Sequence, residues 1–228
     1  MGKTAILLGA SGLVGNEVLK LLLADVRDSN SPNQYFEKIK IFVRKALPVE
    51  HPRLEQHVVN FDAIENYRDL IKGDIIFCCL GTTIKKAGSK DAFIKVDYTF
   101  PLEFAKIAKQ NGVNKYLLIS SIGADRNASN FYLKVKGDIE LALEKLKFES
   151  LIILRPSMLL GERKEFRFGE AAGKIFIQLF SLGFIGKLKK YKAIEARIVA
   201  KAMIELSKSE FKGVNVFESD KLQQIGKN

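Results

Sequence analysis

The chain has 228 residues, a length that fits one α/β domain, and its 47% hydrophobic and 28% charged residues are ordinary for a globular protein. Its formal net charge of +11 favours anionic partners such as phosphorylated cofactors, nucleic acid or acidic lipid. The basic residues are scattered through every predicted element without a nucleic-acid-binding motif, so a nucleic-acid partner is not expected.

Short apolar runs alternate along the chain with longer stretches of helical periodicity. Continuous apolar runs are typical of parallel strands that are covered on both faces. The alternation therefore predicts an α/β fold, a Rossmann-like doubly wound parallel sheet with helices on both faces. The predicted strands are 4–10, 38–44, 54–60, 74–80, 115–121, 150–156 and 213–219, and the predicted helices are 12–24, 63–71, 90–110 and 130–147.

The character of the chain changes after residue 156. Residues 157–228 are predicted to hold two helices around a glycine-rich hinge and the last strand, as the smaller, substrate-side portion of one domain spanning 1–228. Within this portion, residues 174–192 are apolar and then basic, which would suit an anionic membrane surface. Such segments more often cover a substrate cleft. No run reaches about 18 uninterrupted apolar residues, so no membrane span is predicted.

Three features bear on location and metal binding. The two cysteines are adjacent and offer no disulfide framework, and the opening residues show no small-residue cleavage site. A cytoplasmic location is therefore predicted. His51 and His57 lack a second pair of ligands, so no metal site is expected.

A glycine-rich turn joins the first predicted strand to the first predicted helix, with Gly9, Gly12 and Gly15 in a G-x-x-G-x-x-G spacing. Glycines permit a tight turn and let the backbone approach a pyrophosphate, which the amides and dipole of a helix N-terminus then bind. At this junction the spacing favours a dinucleotide-binding loop over a simple helix-entry turn. The other loop residues predicted to contact the cofactor are Ser11, Leu13 and Val14.

The second predicted strand ends in Arg44 and Lys45, where NAD-binding versions of this fold usually carry a carboxylate for the ribose 2′-hydroxyl. A guanidinium presents paired donors to a phosphate, whereas a carboxylate would repel it. NADP(H) is therefore favoured over NAD(H). The alternative is that both residues are ordinary surface charges.

Tyr132 and Lys136 lie four residues apart on the predicted helix 130–147. In a chain this rich in lysine such a pair can arise by chance, with the tyrosine packed on the sheet and the lysine solvated. At helical spacing the two side chains share a face. A free phenol titrates near pH 10. An ammonium about 4 Å away, at an effective dielectric near 20, stabilises the phenolate by roughly 4 kcal/mol, enough for proton exchange at neutral pH.

The order and spacing of five motifs, GASGLVG, CCLGTT, YLLISSIGAD, YLKVK and LRPSMLLGER, resemble the short-chain dehydrogenase/reductase superfamily over nearly the whole chain. The sequence looks like an atypical member, close to the Tat-interacting-protein group. The resemblance implies that Tyr132 is the catalytic acid/base and Lys136 its partner, which also holds the nicotinamide ribose. A serine completes such a site. Ser120 and Ser121 both qualify, and the strand ending LLISS favours Ser121.

The same resemblance implies further cofactor contacts. Asp62 is expected near the adenine. The residues expected along the cofactor path are Leu80, Gly81 and Thr82, and those expected near the nicotinamide are Pro156, Ser157 and Met158.

The resulting hypothesis is an NADPH-dependent oxidoreductase that reduces a small carbonyl substrate with a Ser/Tyr/Lys site. One alternative is a regulatory or assembly protein that binds NADPH with little or no catalysis. Another is an epimerase that uses a tightly held nicotinamide. The helices at 90–110 and 130–147 are long enough to pair in a homodimer, as in many members of the superfamily.

Overall fold

A computed structural model describes residues 2–24, 35–161 and 190–227, and its centre is a seven-stranded sheet in which every pairing is parallel. The strands are β1 (Lys3–Leu8), β2 (Phe36–Val43), β3 (Leu54–Val58), β4 (Ile75–Cys78), β5 (Lys115–Ile119), β6 (Ser150–Arg155) and β9 (Gly213–Glu218). Their order across the sheet is β3-β2-β1-β4-β5-β6-β9, which confirms the predicted Rossmann-like, doubly wound fold. A separate two-residue pair, β7 (Leu159–Leu160) with β8 (Ile194–Glu195), lies outside this sheet.

Helices connect the strands. They are α1 (Leu13–Ala24), a 3₁₀ helix (Phe61–Leu70), α2 (Ile84–Ala87), α3 (Lys90–Ile94), α4 (Phe100–Gln110), α5 (Phe131–Glu144), α6 (Ala196–Ser207) and α7 (Ser219–Lys227). A π-helical turn, Lys95–Thr99, joins α3 to α4. The predicted helix 90–110 therefore runs without a break in the chain's helical path, but its hydrogen-bonding pattern changes at this turn. Most of the segment 174–192 lies outside the described residues. In the described part of the chain, no helix combines the length and apolarity needed to cross a membrane.

Both faces of the sheet are covered over its central strands, which explains why these strands are apolar without alternation. On one face, Leu7 and Leu117 pack with residues of α1 and α6 such as Val18. On the other face, Ile6 packs with residues of α4 and α5 such as Phe104. Each central strand therefore contributes side chains to both faces, because neighbouring residues of a strand point to opposite sides of the sheet.

Four strands, β1, β3, β4 and β5, end two residues earlier than predicted. β1 ends at Leu8 and β5 at Ile119, each two residues before the end of the predicted strand. Both strands end at the carboxyl edge of the sheet, the edge at which open α/β folds bind ligands, although the Ser120 amide still donates to the Leu154 carbonyl of β6 at 2.7 Å. The residues that follow these two strands, the glycine-rich turn and the two serines, therefore lie at the edge where a ligand site is expected.

Candidate functional site

The glycine-rich turn brings α1 directly against the end of β1. Gly9 has a φ of +79°, a conformation that favours glycine, and the Gly12 amide donates to the Gly9 carbonyl at 2.8 Å. A Cβ on Gly15 would lie 2.1 Å from the Gly9 oxygen, so only glycine fits there. The first amides of α1 have no partner within the helix and carry the positive end of its dipole. This turn therefore fits the pyrophosphate of a dinucleotide.

A cleft lies beside this turn and is bounded by the carboxyl ends of β4, β5 and β6 and by one face of α5. It brings together many residues predicted for the site: Val14, Leu80, Gly81, Thr82, Ser120, Ser121, Tyr132, Lys136, Pro156 and Ser157. Cys79, Asp97, Ile119 and Leu159 complete its lining. In the described part of the chain Leu159, rather than the predicted Met158, lines the cleft.

Helix α5 presents Tyr132 and Lys136 to the cleft on one face. Asn130 caps its N-terminus by accepting from the Leu133 amide at 3.1 Å, which fixes where the helix begins. The Tyr132 ring is half-buried against Phe93, with 5.7 Å between ring centroids. The Lys136 ammonium lies 6.0 Å from the centre of the Tyr132 ring. The four-residue spacing of Tyr132 and Lys136 thus places the two side chains close together in the structure.

Lys136 is buried in an ion pair, and the alternative of a solvated lysine does not hold. Its Nζ lies 2.7 Å from Oδ1 of Asp97, and the two side chains are only 5% and 1% exposed. The other oxygen of Asp97 accepts from the Thr82 amide at 2.8 Å. Burial by itself lowers the pKa of Lys136, but Asp97 and then Tyr132 raise it, and the pKa lies above its ordinary value.

The two serines after β5 differ in their hydrogen bonds. Ser120 donates to Oε1 of the buried carboxylate of Glu140. Arg155 holds both oxygens of the same carboxylate, with Nε at 3.0 Å and Nη2 at 2.5 Å. In the described part of the chain, the Ser121 hydroxyl makes one long hydrogen bond, 3.3 Å, to the carbonyl of Ile122. The hydroxyl of Ser121 is therefore the one that can turn towards a ligand at little cost.

The loop after β5 ties Ser121 to α5. The Ala124 amide donates to the Ser121 carbonyl at 3.1 Å, and the Asp125 amide donates to the Leu133 carbonyl at 3.2 Å. These bonds fix the serine and the first turn of α5 relative to each other. Preorganisation of this kind is what a site for acid–base chemistry requires.

The remaining predicted residues lie around the cleft. Arg44 and Lys45 are exposed and directly follow β2, which pairs with β1 in parallel, so they share the carboxyl edge with the glycine-rich turn. Asp62 follows β3 and pairs on the surface with Lys95 at 2.8 Å. Ser157 donates to the Lys192 carbonyl and lies near another serine hydroxyl, so its own hydroxyl is already engaged.

Sequence reasoning missed Asp97, Glu140 and Arg155, although a signal for the two acids exists. Asp97 falls at helical spacing between the buried residues Phe93 and Pro101, a position where an apolar side chain is expected. Glu140 likewise falls on the buried face of α5. A charged residue on the apolar face of a helix requires a partner, and for both acids the structure provides one.

Comparison of sequences finds similar proteins in animals and fungi. The chain is 39% identical to Protein HTATIP2 of Rattus norvegicus over 178 residues, which are 76% of this chain and 70% of that protein. It is 31% identical to Protein FMP52, mitochondrial, of Candida albicans over 230 residues, covering 98% and 94% of the two chains. No model of a protein family matches the sequence.

Comparison of structures finds the same fold in enzymes of low sequence identity. The Bordetella bronchiseptica enzyme WbmH, solved in complex with NAD+, has a TM-score of 0.69 at 16% identity, covering 99% of this chain and 79% of that one. A UDP-glucose 4-epimerase from Thermotoga maritima has a TM-score of 0.66 at 14% identity, covering 98% and 80%. At these identities the likeness establishes the fold.

The predicted cytoplasmic location is wrong by these comparisons. The FMP52 relatives from Candida albicans, Meyerozyma guilliermondii and Candida glabrata are all named as mitochondrial proteins. The lack of a disulfide framework argues against an oxidising compartment, but it does not distinguish one reducing compartment from another.

Proposed function

Because this chain belongs to the family of the HTATIP2 and FMP52 proteins, atypical members of the short-chain dehydrogenase/reductase superfamily, we propose that it is an NADPH-dependent reductase of a small carbonyl compound. The observation that carries the proposal is the meeting of Tyr132, Lys136 and Ser121 in one cleft beside the glycine-rich turn. A solved structure of the same fold contains NAD+, which supports a nicotinamide dinucleotide here.

The residues of the cleft have distinct roles in this proposal. The nicotinamide, when bound, supplies hydride to the carbonyl carbon. Ser121 and Tyr132 donate hydrogen bonds to the carbonyl oxygen, and the Tyr132 proton passes to that oxygen as the alcohol forms. The Lys136 ammonium stabilises the phenolate that remains. The amides opening α1 hold the pyrophosphate.

Selection of NADPH is assigned to Arg44, with Lys45 beside it. We expect Arg44→Ala to weaken NADPH binding about 10- to 100-fold, because a charge-assisted contact to the 2′-phosphate contributes roughly 1.5–3 kcal/mol. NADH affinity should change little, since NADH lacks that phosphate. Fluorescence titration of both coenzymes measures the two effects.

Lys72→Ala is the matched control for the loss of one positive charge. Lys72 is exposed and precedes β4, at the amino edge of the sheet and away from the turn. Equal losses of NADPH and NADH affinity in the Arg44 variant, or equal affinities in the wild type, would contradict the assignment to a 2′-phosphate.

Ser121, rather than Ser120, is proposed to bind the substrate carbonyl. Ser121→Ala should lower kcat/KM by roughly 100- to 1,000-fold, the usual effect of removing one donor to a developing oxyanion. Ser120→Ala should instead lower the free energy of unfolding by about 1–3 kcal/mol, because the buried Glu140 loses a donor. Steady-state kinetics and thermal unfolding of both variants test the assignment. The reverse pattern would exchange the two roles.

A screen of carbonyl compounds that follows NADPH absorbance tests the proposed reaction itself. Net consumption of NADPH with conversion of the carbonyl to an alcohol supports the reductase. Conversion of a substrate without net consumption indicates the epimerase alternative. Tight NADPH binding without turnover across the screen indicates the regulatory or assembly alternative.

A further inference from the structure

We infer that Asp97 is a positioning residue of this site, whose carboxylate fixes the Lys136 side chain and keeps its amine protonated inside the cleft. The role in catalysis rests on the proposed function. The charge state of Lys136 does not depend on the proposed function, because it can be measured without any substrate.

Asp97 and Lys136 are both buried, so each charge needs a partner within the protein. With 1% of Asp97 and 5% of Lys136 exposed, neither charge is stabilised by bulk water. A lone ammonium in such a place gives up its proton, because burial disfavours the charged form. The 2.7 Å contact between Nζ and Oδ1 supplies the opposite charge that burial demands.

The backbone around Asp97 holds its carboxylate in one orientation. The Thr82 amide, in the loop after β4, donates to Oδ2 at 2.8 Å and leaves Oδ1 to face Lys136. Asp97 lies in the π-helical turn between α3 and α4 and is buried, as are Phe93 and Phe104 on either side of it. Turns of this kind are often found at functional sites.

The other groups that face Lys136 do not replace this charge. Tyr132 on α5 is a phenol, and burial raises the pKa of the Cys78 thiol on β4, which stays neutral. Glu140, one helical turn further along α5, is already bound by Ser120 and Arg155. Among the described residues facing the ammonium, Asp97 thus supplies the negative charge that keeps it protonated.

The consequence is a predictable change with pH. In the wild type, Lys136 remains an ammonium through the neutral range and beyond its ordinary pKa of 10.5, because Asp97 outweighs burial. In Asp97→Asn the amide oxygen can still accept from Thr82, but the charge is gone and burial acts against the ammonium. The amine then loses its proton at lower pH and no longer stabilises a phenolate, so the alkaline limb of carbonyl reduction moves to lower pH.

The test is a pH titration of the Lys136 amine, followed at its Cε–Hε group by lysine-selective ¹H–¹³C NMR on the full chain without cofactor, with the signal assigned by its loss in Lys136→Met. We expect titration above 10.5 in the wild type and at least about one unit lower in Asp97→Asn. Asp62→Asn is the matched control, because it removes the carboxylate of an exposed ion pair with Lys95 and should leave the Lys136 signal unchanged.

Each outcome decides the matter. An unchanged titration in a folded Asp97→Asn protein overturns the inference, even if the enzyme turns over NADPH. If that variant does not fold, the wild-type titration decides alone, and a value below 10.5 overturns the inference. A shifted titration in a chain that reduces no carbonyl supports the inference and counts against the proposed function. In an active enzyme, we also expect the alkaline limb of kcat/KM in Asp97→Asn to fall at lower pH by a similar amount.

Discussion

Tyr132→Phe is expected to lower kcat/KM for carbonyl reduction at least 100-fold while leaving NADPH affinity within about twofold, because positioned proton donors typically contribute 10²–10⁴-fold. The substitution removes the hydroxyl and keeps the ring, so the packing against Phe93, at 5.7 Å between centroids, persists. The Asp97–Lys136 ion pair is independent of that hydroxyl and should also persist. Steady-state kinetics and coenzyme titration measure the two quantities.

Tyr67→Phe is the matched control for this substitution. Tyr67 lies in the 3₁₀ helix, and among the described residues its hydroxyl accepts one long hydrogen bond, 3.4 Å, from the Asn60 amide. Its removal should leave turnover unchanged. A Tyr132→Phe enzyme that retained full activity would show that another group, or water, donates the proton.

Gly15→Ala is expected to weaken the binding of both NADPH and NADH by about 30- to 150-fold. The new Cβ would lie 2.1 Å from the Gly9 oxygen and 2.7 Å from the Gly9 carbonyl carbon, so either the turn or the start of α1 must move. Overpacking of this kind costs roughly 1–3 kcal/mol or more, and the upper part of that range corresponds to the expected loss of affinity. Titration of both coenzymes measures it.

Asn16→Ala provides the control for Gly15→Ala. Asn16 is the next residue of α1 and is exposed, so its truncation changes the same turn of helix without a clash. We expect its coenzyme affinities to match the wild type. Circular dichroism establishes that the Gly15 variant is folded. A folded Gly15→Ala protein with wild-type affinity for both coenzymes would place the pyrophosphate elsewhere.

These two predictions separate the halves of the proposed site. Gly15 belongs to the glycine-rich turn and acts on binding of both coenzymes, whereas Tyr132 acts on the chemical step. Loss of both functions in either variant would indicate a general disturbance of the cleft rather than the division of roles proposed here.

The fold was predictable because its signals are local. A parallel strand covered on both faces requires a continuous apolar run, which the central strands have, and each of the seven predicted strands corresponds to one strand of the sheet. The glycine spacing likewise predicted a tight turn at the first β–α junction, since a side chain at Gly15 would collide with the backbone of that turn. The ends of β1 and β5 were less predictable, because the residues that follow Leu8 and Ile119 are small and their type does not mark where regular strand pairing stops.

The sequence by itself determined the doubly wound sheet, the place of the glycine-rich turn and the shared face of Tyr132 and Lys136, because helical and strand periodicity act between near neighbours. Only the tertiary structure decided that Lys136 meets Asp97, a residue from another helix. It also decided that Glu140 and Arg155 engage Ser120 and leave Ser121 to the cleft. Such contacts depend on how the crossover connections bring distant segments of the chain to one edge of the sheet. Once a charged side chain is buried there, its charge state depends mainly on the partner that it meets, which local sequence does not reveal.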